Sequence, residues 1–185
     1  MEQGWVALLR GVNVGGRNRV PMAELRRVFE DAGCGSVTTY IQTGNVLFTK
    51  RASDRTRLAR RLETAVEGAF GVPSIVVLRT CEELFELERS HPFGADTSNT
   101  FVSFLAAEPD PEQARRLTDL DVGPDEVKVV GSDVFVRYPN GVQGARLSAA
   151  QLERRVGVPG TMRNWRTVTK LAELAAAQQR RTGHR

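Results

Sequence analysis

Ser36-Val37-Thr38-Thr39-Tyr40-Ile41-Gln42-Thr43-Gly44-Asn45-Val46-Leu47-Phe48-Thr49 reads as two short strands, 36–41 and 45–49, rich in β-branched and aromatic residues. Gln42-Thr43-Gly44 joins them, and a hairpin with glycine in its turn is the economical interpretation. This pair decides the fold because a helical pattern stands on either side. Upstream, residues 21–32 put Met22, Leu25, Val28, Phe29 and Ala32 on one helix face, with Pro21 in the first turn and Gly33 at the stop. Before that helix, residues 5–10 form an apolar strand. Downstream, Asp54 caps a helix that runs to Phe70 with Leu58, Leu62, Ala65, Val66, Ala69 and Phe70 as its stripe, and Gly71 ends it. A β-branched strand follows at 73–79. The order β-α-β-β-α-β is the ferredoxin-like one, a four-stranded antiparallel sheet with both helices on one face.

Thr80-Cys81-Glu82-Glu83 has the form of a capping box and opens a short helix carrying Leu84 and Leu87. Residues 90–99 are rich in turn formers, lack periodicity and read as the linker between halves. The second half then repeats much of the order. A strand at 101–106 is followed by a helix opened by Asp110-Pro111, with Ala114, Leu117 and Leu120 inward. Strands at 126–130 and 133–138 flank Gly131-Ser132, and Ser148-Ala149-Ala150-Gln151 is another capping box, for a helix that Gly157 closes. Residues 159–165 carry no strand pattern, so this half reads β-α-β-β-α, a truncated copy. A long helix closes the chain, with Trp165, Val168, Leu171, Ala172 and Ala175 as its inner stripe. The expected fold is α+β: a ferredoxin-like subdomain at 1–92 and a second subdomain at 99–178. The closing helix of the second packs back towards the first, and a basic, disordered tail occupies 179–185.

The bulk numbers bound the function. Across 185 residues, 41% are hydrophobic and 26% charged, as in soluble globular proteins. No apolar run approaches the ~20 residues of a membrane span. Residues 5–9 are too short for a leader and run straight into Arg10, so a cytoplasmic location is expected. Cys34 and Cys81 have neither zinc spacing nor histidine partners; reduced thiols are the default, and a disulfide between them stays open. No metal or cofactor is implied. The net charge of +4 permits a phosphate-bearing partner.

Leu8-Leu9-Arg10-Gly11-Val12-Asn13-Val14-Gly15-Gly16-Arg17-Asn18-Arg19 breaks from a strand into glycines, asparagines and arginines. Glycines let backbone N–H groups approach a ligand, and the arginines and asparagines add donors for an anion. The bland alternative is a tight connection with solvated arginines, since neither phosphate-loop fingerprint is present.

Residues 8–16, Thr39-Tyr40-Ile41-Gln42-Thr43-Gly44-Asn45-Val46-Leu47-Phe48, Pro92-Phe93 and Thr161-Met162-Arg163-Asn164-Trp165-Arg166-Thr167-Val168-Thr169-Lys170-Leu171 together resemble an uncharacterised bacterial family, number 1697 in the domain-of-unknown-function series. Thr43 and Met162 are mild departures. The resemblance implies two α+β subdomains, the first ferredoxin-like, and implies no activity and no catalytic residue.

Arg163, Asn164, Arg166 and Lys170 fall at the expected start of the closing helix, where unpaired N–H groups and a partial positive charge favour an anion. The functional expectation is a small phosphorylated or carboxylated ligand in a cleft formed by Arg10, Asn13, Gly15, Gly16, Asn45, Arg163, Asn164 and Lys170. The competing view makes Gln42 to Asn45 a plain hairpin turn and Asn164 a plain helix cap. One alternative is a nucleic-acid-binding module using the basic helix 54–70, with Arg57, Arg60 and Arg61, and the tail. Another is a scaffold or oligomerising protein without a small ligand. An RNA-reading sheet needs exposed aromatics on its central strands, and only Phe48 is offered, with Tyr40 as its possible core partner. With His91 and His184 the only histidines, catalysis stays an open question, and any reaction would rest on charge stabilisation.

Overall fold

Strand β1 (Gln3–Leu9) runs down the middle of the first sheet between β3 (Asn45–Lys50) and β4 (Val76–Thr80), with β2 (Gly35–Tyr40) outside β3. All pairings are antiparallel, in a register that sets Trp5 opposite Phe48, Leu8 opposite Asn45 and Leu9 opposite Val76. The description rests on a computed structural model and covers residues 2–52 and 54–182. Helices α1 (Met22–Asp31) and α2 (Arg55–Phe70) pack on one face of this sheet. They bury Leu25, Phe29, Leu58, Leu62 and Val66 against Trp5, Ala7, Leu9, Val46 and Phe48. The α2 boundaries are locally encoded. The Asp54 side chain accepts from the Arg57 N–H, and Gly71 takes the left-handed conformation that ends the helix.

Phe48 meets Phe29 edge to face, at 5.4 Å between ring centroids, inside this core. Tyr40 is therefore not its partner. Trp5 and Phe48 both face the helices, and on the other face β1 and β3 present Gly4, Val6, Leu8, Asn45, Leu47 and Thr49, none of them aromatic. The sheet thus lacks the exposed aromatic platform of an RNA reader.

Helix α3 (Cys81–Arg89) starts with the expected capping box. The Glu83 N–H donates to Thr80 Oγ1 and the Thr80 N–H to Glu83 Oε2.

The second sheet has the order β6-β7-β5-β8, the same as the first sheet's β2-β3-β1-β4. It comprises β5 (Thr100–Leu105), β6 (Glu126–Val130), β7 (Asp133–Arg137) and β8 (Gly160–Asn164). Helices α4 (Pro111–Thr118) and α5 (Ala149–Val156) contribute Leu117, Leu152 and Val156 to its core. The second half is a complete β-α-β-β-α-β unit, which corrects the expected truncation. Residues 160–164 were missed because Gly, Met, Arg and Asn carry no strand pattern of their own. Their strand exists because β5 supplies the ladder, with Val102 opposite Arg163 and Phe104 opposite Thr161. Gly160 fits that approach: a Cβ there would stand 2.9 Å from the Phe104 carbonyl oxygen.

Helix α6 (Trp165–Thr182) closes the chain. By contact density the structure divides into one unit of residues up to Glu86 plus those from Lys170 onwards, and a second from Leu87 to Thr169. The later part of α6 thus belongs with the first sheet. Gln178 donates to the Ser36 carbonyl of β2, and Gln179 to Glu82 of α3. The tail expected from 179 is helical as far as Thr182, and residues 183–185 lie outside the described residues.

The turn-rich stretch 90–99 is anchored within the second unit. Arg137 reaches the carbonyls of Phe93 and Asp96, each at 3.4 Å, and lies over the Phe93 ring. His91 packs against Trp165 at 4.6 Å between centroids and against Phe93 and Phe135. Its aromatic residues dock a segment whose turn formers suggested a linker. Among the described residues no helix is long and apolar enough to cross a membrane.

Candidate functional site

The eight residues expected to surround an anion fall into two groups. Arg10, Asn13, Gly15, Gly16, Asn45 and Lys170 belong to the first unit, Arg163 and Asn164 to the second.

In the first unit the glycine loop is a miniature hairpin. The Asn13 N–H donates to the Asn18 carbonyl and the Arg17 N–H to the Val14 carbonyl. Gly15 and Gly16 turn the chain with φ of 57° and 74°, and a Cβ on either would meet nothing within 4 Å. The backbone conformation itself asks for glycine here. The Asn13 side chain is a brace. Its amide donates to the Val20 and Gln42 carbonyls, and its oxygen accepts from the Val20 N–H. The loop and the 42–44 turn are therefore brought together, as expected, at the edge where β1 ends and β3 begins. Asn45, fully buried, donates to the Tyr40 carbonyl and to Thr43 Oγ1. These bonds hold the hairpin turn. The Arg10 backbone joins the same frame, donating to Ile75 and accepting from the Ser74 hydroxyl. Lys170 donates to Glu173 at 2.7 Å, and that contact raises its pKa.

In the second unit, Arg163 and Asn164 are strand residues, and the helix begins one residue later, at Trp165. Arg163 is buried and donates to Thr161 Oγ1 and the Met162 carbonyl, and burial lowers its pKa to about 10. Its charge is engaged inside the fold, which corrects the expectation that it meets an anion at the helix start. Asn164 caps α6, with its side-chain oxygen accepting from the Thr167 N–H at 2.8 Å.

The helix start nevertheless borders a solvent-open depression of about 670 Å³. It is lined by residues 97–101, from the loop into β5, and by Asn164, Trp165, Arg166 and Thr169. Arg166 is exposed, and no ion pair involves it among the described residues. Thr100 is only 2% exposed, and its hydroxyl has no hydrogen-bond partner. Thr100, Arg166 and the first residue of α6 thus line one depression. Asn164 is the expected site residue that lines it. Thr100 had no sequence signal, because a threonine opening a strand is ordinary and only burial makes its oxygen unusual.

A second depression, about 380 Å³, has Asp121, Asp125 and Glu126 on its wall. These carboxylates serve the fold: Asp121 accepts from the Gly123 N–H, Asp125 from the Arg146 N–H, and Glu126 pairs with Arg137. Among the described residues, no cluster of three potential ligands could hold a metal ion. On the basic helix, Arg55 is engaged with Glu83 at 2.6 Å and lies over the Trp5 ring, while Arg57 stays exposed.

Two β-α-β-β-α-β units in one chain define the class as an α+β protein of two ferredoxin-like subdomains. The chain belongs to the family described as Protein of unknown function (DUF1697), whose model matches residues 2–135. Residues 161–171, which also carry the resemblance, lie beyond that match. The chain is similar in structure to conserved bacterial protein SP0830 from Streptococcus pneumoniae. The TM-score is 0.76 at 22% identity, covering 95% of this chain and 99% of that one, and the likeness shows a shared fold. No curated protein matches the chain.

Proposed function

We propose that this protein binds a small anionic ligand, phosphorylated or carboxylated, anchored where α6 begins. The observation that carries the proposal is the depression lined by Thr100, Asn164 and Arg166, at whose wall the Thr100 hydroxyl is buried without a partner. A native protein rarely strands a buried polar atom, and a bound group at the depression would supply the missing partner. The helix dipole adds attraction for negative charge, and Arg166 adds a full charge with fork geometry.

Binding is non-covalent in this proposal. Both cysteines are buried, and burial raises their pKa values, that of Cys81 to about 12, so neither favours the reactive thiolate. Two unpaired thiols also support a reducing, cytoplasmic location.

The test is a thermal-shift titration with inorganic phosphate on wild type and Arg166→Gln. Ligand at ~100 times its dissociation constant stabilises by ~2.7 kcal/mol. For a chain of this size that corresponds to a rise of roughly 5–11 °C. The variant is expected to lose most of the shift. An equal shift in both proteins would place the ion elsewhere.

A further inference from the structure

No residue of the glycine loop after β1 lines the depression at α6, yet the loop is stiffly held. The Asn18 side chain donates to the Gly11 carbonyl, and the Asn13 side chain ties the loop to Val20 and to Gln42 of the hairpin turn. Asn13 and Asn18 both take the left-handed conformation. What this frame holds up is an aliphatic side chain in water: Val14 is 64% exposed. Ile41, next to Gln42, is 45% exposed and has a φ of 49°. A β-branched residue is strained in that region, where asparagine or glycine would turn the chain with less strain. Little of that strain is offset by burial. Strain retained at an exposed position points to a use for the side chain outside the fold.

Three connections share this edge of the first sheet: residues 10–20 after β1, the 41–44 turn before β3, and residues 71–75 before β4. The last is joined to the first by the Arg10 N–H, which donates to the Ile75 carbonyl, and by the Ser74 hydroxyl, which donates to the Arg10 carbonyl. Together they carry Arg10, Arg17 and Arg19, and neither a carboxylate nor an aromatic ring. Arg17 and Arg19 are exposed, and among the described residues no ion pair involves either. From this arrangement we infer that the edge docks an extended acidic segment of a partner protein, its aliphatic side chains against Val14 and Ile41 and its carboxylates on Arg17 and Arg19. A braced loop loses little conformational freedom on binding, which favours a partner of fixed shape. Four strands at about 4.8 Å spacing give an edge of roughly 15 Å, which an extended chain crosses in about five residues, whereas a folded domain needs about 800 Å² on each side. A nucleic acid would leave the two aliphatic side chains without a role, and a bilayer would find no aromatic anchor. A second copy presenting the same edge would set arginine against arginine. This docking surface is independent of the anion site, since it uses neither the depression nor a phosphate.

The experiment selects a displayed library of random peptides on the full chain and measures the enriched peptides by fluorescence anisotropy against wild type, Ile41→Asn and Arg17→Glu. Enriched peptides are expected to interleave aspartate and glutamate with apolar residues. Ile41→Asn is expected to weaken them by about tenfold or more, as loss of an interface anchor does. The same variant is expected to melt about 2–4 °C higher, because asparagine relieves the strained turn. A merely structural isoleucine would not move affinity and stability in opposite directions. Arg17→Glu is expected to weaken binding and to flatten its dependence on salt. Vesicles containing phosphatidylserine and a DNA duplex are titrated alongside. Binding of either that Ile41→Asn abolishes would overturn the peptide assignment. Enrichment of no acidic peptide, or equal binding to wild type and both variants, would overturn the docking surface. An Ile41→Asn protein that melts no higher than wild type would remove the strain on which it rests.

Discussion

Thr100→Val removes the hydroxyl on which the proposed site turns and keeps the β-branched shape. Thr100 is 2% exposed and its Oγ1 has no partner, so the folded protein carries the desolvation of that oxygen uncompensated. Such a group costs about 1–3 kcal/mol. Replacing it with a buried methyl removes that cost and adds a little apolar burial. Neighbouring strand residues keep their ladder, because the substitution leaves the backbone alone. The variant is therefore expected to be more stable than wild type by about 1–3 kcal/mol, against the usual direction for a core substitution. Urea unfolding followed by circular dichroism measures this as a higher midpoint at unchanged slope. Thr100→Ser is the control: it retains the oxygen, loses a methyl and is expected to be destabilised by ~1 kcal/mol. The price of the added stability is affinity, and Thr100→Val should bind phosphate compounds more weakly. A Val variant less stable than wild type would mean that the hydroxyl is satisfied in the native protein. The reason for placing a ligand there would then be gone.

The remaining predictions concern the frame around the loops. Gly44→Ala puts a Cβ 2.5 Å from Val12 Cγ2 and 2.9 Å from Leu9 Cβ at a φ of 73°, and thermal denaturation is expected to show a loss of at least ~2 kcal/mol. Gly15→Ala has the same conformational cost without the clash, so a loss of only ~1 kcal/mol is expected, and equal losses would contradict this account. Asn13→Ala deletes the three bonds to Val20 and Gln42 and should speed tryptic cleavage after Arg17 and Arg19 more than it lowers global stability. Burial among aromatic rings lowers the pKa of His91, Arg137 lowers it further, and the Gly94 backbone opposes them. The unfolded chain then binds that proton more tightly than the folded one, so stability falls as pH drops below the ordinary value of 6.5. His91→Phe should flatten the urea midpoint between about pH 7 and about pH 5. An unchanged slope would show that other groups set it.

The first unit was legible because its signals are local. Asp54, Thr80 with Glu83, and Gly71 act within one turn of the residues that they cap, and the apolar spacing of Leu58, Leu62 and Val66 is read directly along the chain. The second unit was legible up to α5 for the same reasons. Strand β8 was not, because its extended form depends on pairing with β5, some sixty positions earlier. Of the candidate site residues, Asn13 and Asn45 serve as a brace and a turn support. Arg163 was singled out for its charge and turns out to be buried in the sheet.

The amino-acid sequence alone determined the elements and their order, since capping and hydrophobic periodicity are properties of residues a few positions apart. It also marked both loops as rich in hydrogen-bonding groups. Only the tertiary structure decided which of those groups remain available. Whether an amide or hydroxyl is already satisfied depends on backbone brought near it from distant positions: Gln42 for Asn13, and for Thr100 no group at all. A polar group's partner, and so its availability to a ligand, is settled by how the chain packs.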